Sequence, residues 1–319
     1  MKSRRQFLQT AGLLSSAVFL RQSELFSYAK KDFESKRPPL SARKFTSVSV
    51  EETIFRMKKN IADPELAWMF ENCFPNTLDT TVDFELINGK PDTYVITGDI
   101  DAMWLRDSTA QVWPYIPLLK NDGPLKELIK GVINRQTKCI LLDPYANAFY
   151  KDVNKISEWK DDITDMKPGI HERKWEIDSL CYPVRLAYGY WKETADVSVF
   201  DKEWKEAMRL VLQTFKEQQR FNGHGPYSFQ RTTAWATDGV PLSGYGYPVK
   251  PNGLICSTFR PSDDSTLFPY LVPSNFFAVD ILGKLAVLLS LPSINEVKMA
   301  AEAKALQLQV KEALLKNGI

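Results

Sequence analysis

Apolar residues recur at three- and four-residue steps through most of the chain beyond residue 48, the period of helices buried along one face. Ser49 with Glu52 forms a capping box that opens a first helix to about Asn60. Asp63-Pro64 starts a second, with Pro in the first turn where its missing N–H costs nothing. The same period predicts helices over 104–119, 125–142, 174–191, 202–219 and 274–289. A Ser293/Glu296 capping box predicts a last one over 294–316. Residues 80–84 and 93–97 instead alternate in polarity around Asn88-Gly89, the pattern of a β-hairpin. Strands are not expected elsewhere. The pattern is that of an all-α protein of consecutive antiparallel helix pairs with one small hairpin.

Residues 221–270 break the helical period and are rich in Gly, Pro, Tyr and Ser. A segment of that length in a compact domain is either functional or disordered. Tyr227, Trp235, Tyr245 and Tyr247 make it too aromatic for disorder, so it is expected to wall a binding site, with Tyr245 against the ligand.

The first 45 residues read differently. Ser3-Arg-Arg-Gln-Phe-Leu8, the apolar run Ala11-Gly-Leu-Leu-Ser-Ser-Ala-Val-Phe-Leu20 and Ser27-Tyr-Ala29 follow the order of a twin-arginine export signal with its cleavage site. That run falls short of the roughly 20 apolar residues a membrane span needs. Residues 1–29 are therefore expected to be a signal peptide, 30–45, with Pro38-Pro39, a linker, and 46–319 the domain. The mature protein is expected in the periplasm.

A net charge of +2 spread over the whole chain leaves no basic footprint for nucleic acid. Cys73, Cys139, Cys181 and Cys256 lie far apart without a CxxC unit and are expected to be free thiols, mostly buried. With only His171 and His224 for imidazole ligands, a zinc site is disfavoured. Asp99-Ile-Asp101 lacks the Gly and terminal Glu of a calcium loop. Neither a phosphate-cradling glycine loop nor a nucleophile elbow is present, so no cofactor is expected.

Chemistry concentrates in Thr97-Gly-Asp-Ile-Asp-Ala-Met-Trp-Leu-Arg-Asp107, where Asp99, Asp101, Arg106 and Asp107 crowd around Trp104. Carboxylate and guanidinium groups hydrogen-bond hydroxyls, and an indole covers the C–H face of a sugar ring. Helix capping accounts for one acid but not for three beside a Trp and an Arg. Asp178, in Trp175-Glu-Ile-Asp-Ser-Leu-Cys-Tyr-Pro183, has apolar and aromatic neighbours and little adjacent positive charge, the setting that keeps a carboxyl protonated. It could equally cap a helix. Glu176 competes with it, but on one helix residues two apart face different directions. Arg260 suits hydroxyl pairs or a structural ion pair equally. Asp263 and Asp264 follow it, and Ser274-Asn275 could turn a hydroxyl and an amide toward the same hollow.

Segments 98–107, 175–183 and 259–264, in this order, resemble the signature segments of glycoside hydrolase family 125. The resemblance runs from about Glu51 to the last residue. It implies an (α/α)6 toroid and metal-independent, inverting, exo-acting hydrolysis of α-1,6-linked mannose glycans. It also implies Asp178 as general acid and Asp99, Asp101, Trp104, Arg106, Asp107, Arg260, Asp263 and Asp264 as residues around the mannose. The family's general base is a Glu in its C-terminal part, beyond Ile319, and a toroid needs more helices than the chain supplies. The chain is thus expected to be the N-terminal portion of a longer member. Two alternatives remain: another toroidal glycosidase of glucoamylase or trehalase type, or a catalytically incomplete mannose-binding fragment.

Overall fold

The structure, a computed structural model, describes residues 33–317. The export signal and its cleavage site lie outside the described residues. Helix α1 (Val48–Asn60) is followed by α2 (Pro64–Cys73), whose Asp63 side chain accepts from the N–H groups of Glu65 and Leu66. The cap of α1 is Ser47, which accepts from Val50 N–H, rather than Ser49. Ser49 is drawn inside because its N–H donates to Asp122, 3.1 Å away.

Residues 33–45 are not a free linker. Arg37 forks between Glu51 (2.9 Å) and Asp79 (2.8 Å), and Phe45 packs edge-on against Phe84. Its charge partners come from two distant elements, which is why its Pro and Lys content alone misreads it.

The hairpin forms as the alternation predicts: β1 (Val82–Ile87) and β2 (Lys90–Val95) pair antiparallel. Asn88 and Gly89 both take the positive φ that a tight turn of matching twist requires. A second sheet was not expected. It joins β3 (Met103–Trp104), β4 (Ala148–Phe149) and β5 (Ile170–Glu172), antiparallel and in that order. Its strands are two or three residues long, too short for a period to register in the sequence.

Helix α3 (Leu105–Val112) continues into a 3-10 segment, Trp113–Asn121, because Pro114 and Pro117 remove the amides that an α-helix would use. Then come α4 (Gly123–Leu142), α5 (Ile177–Thr194), α6 (Lys202–Glu217), α7 (Val272–Leu289) and α8 (Val297–Lys316). The Ser293/Glu296 box does not form: Glu296 precedes α8 without a side-chain capping bond.

Alternate helices pack together. α3 lies against α5 and α5 against α7; α4 lies against α6 and α6 against α8. Two rows of helices result, joined where α7 pairs with α8 and α4 meets α5. Helix α7 is long and apolar enough by composition to cross a membrane, but it packs between α5 and α8 with Ile281, Leu282, Leu285 and Leu288 fully buried. The core is continuous and rich in aromatics, among them Tyr115, Trp175, Tyr190, Trp204 and Phe215. Cys139, Cys181 and Cys256 are buried thiols, and Cys73 is exposed and unpaired.

Candidate active site

The small sheet fixes where α3 begins. Leu105 N–H, just past Trp104 of β3, donates to Asn147 O at 3.1 Å, so Arg106 falls in the first turn of a helix anchored on β4. A second anchor brings in a distant loop. Phe259 N–H donates to Trp175 O (2.9 Å), Trp175 Nε1 to Cys256 O (2.8 Å) and Ile177 N–H to Ser257 Oγ (3.2 Å). Residues 256–259 therefore run beside 175–177. The chain then turns sharply, with Asp263 at φ 63°, and presents that carboxylate to the same spot.

Arg106 is the common partner. Its guanidinium lies 3.0 Å from Glu176, 3.5 Å from Asp107, 3.6 Å from Asp178 and 3.8 Å from Asp263. Asn147 braces the group, donating to Glu172 (3.2 Å) and Asp263 (3.3 Å) while its Oδ1 accepts from Lys174 N–H (3.0 Å). Lys174 in turn reaches Asp238 at 2.7 Å and Asp263 O at 3.0 Å. Beneath lies Tyr227, fully buried, donating to Arg173 O (2.9 Å) and accepting from Trp175 N–H (3.0 Å).

Burial favours the neutral forms of Glu176, Asp178 and Asp263 beside this guanidinium. Burial pushes the Asp178 carboxyl up to about 6, against the opposing pull of Arg106. Glu176 is wholly buried and held well above the carboxylate range, by burial first and by the Asp178 charge second, although Arg106 opposes both. Asp263 is raised by burial and eased down by its hydrogen bond to Glu176. These directions outweigh the short Arg106–Glu176 distance: Glu176 is the proton-holding member, and its Oε2 accepts from Ser179 Oγ (2.8 Å). Both Asp178 oxygens are buried with no hydrogen-bond partner, as is Glu176 Oε1. A buried carboxyl whose pKa is raised and whose oxygens accept no hydrogen bond can give its proton to a bound oxygen.

The structure brings together Arg106, Asp107, Asp178 and Asp263, and it adds Glu176. Glu176 precedes the first residue of α5 and has extended backbone, so the rule about helical residues two apart does not apply to it. Nor is Asp178 without positive charge; Arg106 arrives from 72 positions earlier in the chain. The other expected residues fall elsewhere. Trp104 is buried, edge-on to His171 at 5.1 Å, and is not an open stacking platform. Asp99 is exposed in the loop before β3, and Asp101 forms an exposed pair with Lys155 at 3.1 Å. Arg260 and Asp264 pair with each other at 3.0 Å on the surface. Ser274 is buried in the first turn of α7, while Asn275 staples Ile255 through both its N–H (2.9 Å) and its carbonyl (3.0 Å). Tyr245 packs on His224 at 4.9 Å. Among the described residues no group of three His, Cys, Asp or Glu is placed to hold a metal ion. Asn147 and Lys174 had no signal in the sequence, since their partners become neighbours only in the fold.

A helical scaffold that buries paired acids around one arginine is the build of a carboxylate-based glycoside hydrolase. The chain belongs to glycoside hydrolase family 125, the metal-independent alpha-mannosidases, whose family model matches residues 63–319. It is similar to a solved structure from Streptococcus pneumoniae, described among metal-independent alpha mannosidases as a non-productive complex with alpha-1,6-mannobiose. That similarity is 38% identity and a TM-score of 0.79 over 86% of this chain and 64% of that one. It is also 37% identical, over 290 residues, to the meiotically up-regulated gene 157 protein of Schizosaccharomyces pombe. The alignment covers 86% of this chain and 57% of that relative, so the chain spans under two thirds of either one's length.

Proposed function

We propose that this chain carries the general acid of an exo-acting α-1,6-mannosidase that works with inversion, and that its two helix rows are an arc of an (α/α)6 toroid. In that reaction a protonated carboxyl donates to the glycosidic oxygen as the C–O bond breaks. Water attacks the anomeric carbon from the opposite face and gives its proton to a second carboxylate, about 6.5–9.5 Å from the first. Asp178 is assigned the donor's role. The observation that carries this is its burial, with a carboxyl held up to about 6, beside the Arg106 cluster. The Streptococcus pneumoniae relative, solved with alpha-1,6-mannobiose, supports mannose as the sugar.

Glu176 and Asp263 both lie against Arg106, so neither is assigned as the base. Residues 1–29 are read as a twin-arginine signal, which places the mature protein in the periplasm; the mass of the protein recovered from that compartment tests this.

The reading is tested by offering α-1,6-mannobiose, an aryl α-mannoside and the matching glucosides, with NMR of the first-formed anomer. Release of β-mannose supports it. Release of glucose alone would replace it with a glucoamylase-like activity, and mannose binding without turnover with a binding-only role.

A further inference from the structure

A second hollow, of about 620 Å³, opens directly behind the Asp263 turn and takes no part in the cluster described above. The long loop supplies its aromatic surfaces, Trp235, 77% exposed, and Tyr247, 43% exposed. Gln230, Thr233 and Thr237 add hydrogen-bonding groups to its lining, and Arg231 lies in its wall. Such exposure is unusual for indole, whose apolar area normally finds cover.

The hollow is built rather than loose. Arg231 is almost fully buried, held by Asp162 through bonds of 2.8 and 2.7 Å, and lies over the Trp159 ring at 3.9 Å. It also contacts Asp238 at 3.2 Å, and Asp238 accepts from Lys174 at 2.7 Å. Lys174 donates as well to Asp263 O at 3.0 Å. Ser265, whose N–H donates to Thr237 O at 2.7 Å, lines the hollow only two residues beyond Asp263. Two residues of chain reach at most about 7 Å, so the hollow and the Arg106 cluster are neighbouring stations on one loop.

We infer that this hollow is a second sugar site, which takes a further residue of a mannose oligosaccharide on the Trp235 face while another residue lies at the Arg106–Asp178 cluster. The inference rests on the proposed mannosidase reading and deepens it. An exposed indole with hydroxyl and amide groups around it suits a ring having one C–H face and a polar rim. A free apolar patch would lack that rim.

The test is calorimetry with the full chain, titrating methyl α-mannoside and a linear α-1,6-mannotriose with sulfur in place of its glycosidic oxygens, which resists hydrolysis, into wild type, Trp235→Ala and Trp235→Phe. Expected is tighter binding of the trisaccharide by wild type, roughly ten-fold, an advantage lost in Trp235→Ala and partly kept in Trp235→Phe. Methyl mannoside should bind all three alike. Equal affinity for both sugars in wild type, or an advantage that survives Trp235→Ala, overturns the inference while leaving the Asp178 site standing. Failure of methyl mannoside itself to bind sinks the mannose reading and this inference with it. A wild-type dimer that Trp235→Ala dissociates, with sugar binding unchanged, would reassign the surface to self-association and also overturn it.

Discussion

Arg106 lies nearer to Glu176, at 3.0 Å, than to Asp178, at 3.6 Å, and that difference decides which acid is free to react. Glu176 sits deeper, accepts from Ser179 Oγ and occupies the guanidinium. Asp178 is left buried with both oxygens unpartnered. Burial raises both carboxyls against the pull of Arg106, so closeness to the guanidinium alone ionises neither.

Replacing Asp178 by Asn should remove proton donation and lower kcat/KM on α-1,6-mannobiose by about 10²–10⁴-fold. The loss should be much smaller on an aryl mannoside whose leaving group needs no proton. Equal losses on both substrates would show that position 178 does not protonate the leaving oxygen. In wild type, activity should fall as pH rises through about 6, where Asp178 loses its proton, and that limb should be missing from the residual activity of the Asn variant.

The same group makes stability depend on pH. Its folded pKa lies above the unfolded value of 3.8, so its contribution is intact below about 4 and is lost as pH rises through about 6. Asp178→Asn should therefore gain on wild type between pH 4 and 7, by at most about 3 kcal/mol, and stay level above that. Urea unfolding of both proteins at pH 4.5 and 7.5 measures it; a constant difference would contradict the assignment.

Glu176→Gln should be mild, because an amide imitates the neutral acid that burial enforces at this position. Glu176→Ala should be severe, since it leaves the Arg106 guanidinium closer to Asp178 alone. The pH midpoint of the Ala variant should drop below that of wild type, and that of the Gln variant should remain near it. Matching pH profiles in all three proteins would remove Glu176 from any positioning role.

Arg106→Met takes the one cation from among four carboxylates. A cost of about 3–5 kcal/mol at neutral pH is expected, easing in acid as the carboxyls protonate. Chemical denaturation at pH 7 and pH 5 reads both effects, and a penalty that did not shrink in acid would point to lost packing instead.

Gly131→Ala tests the packing of the hairpin. A Cβ on α4 at that position would come within 2.9 Å of Thr93 N on β2 and closer still to Thr93 Oγ1. Backbone cannot yield as a flexible side chain can, so a loss of about 1–3 kcal/mol is expected in the denaturation midpoint. An unchanged midpoint would mean that the hairpin can slide on α4.

Local order was legible in the chain. The helical period, the Asp63-Pro64 start and the Asn88-Gly89 turn act over a few residues, and each appears where expected. The three segments with family-like residues come together in the fold, where Arg106, Asp178 and Asp263 meet. What the sequence could not decide was which neighbours these groups acquire. Trp104 became a buried partner of His171 instead of a sugar platform. Arg260 and Asp264 paired on the surface, and Asn275 spent its amide on Ile255. Glu176 keeps its proton, and Asp178 its raised pKa, through burial that outweighs the pull of a guanidinium 70 or more positions away. Periodicity and capping are properties of adjacent residues, whereas desolvation and charge pairing depend on distances that exist only once the helices have packed.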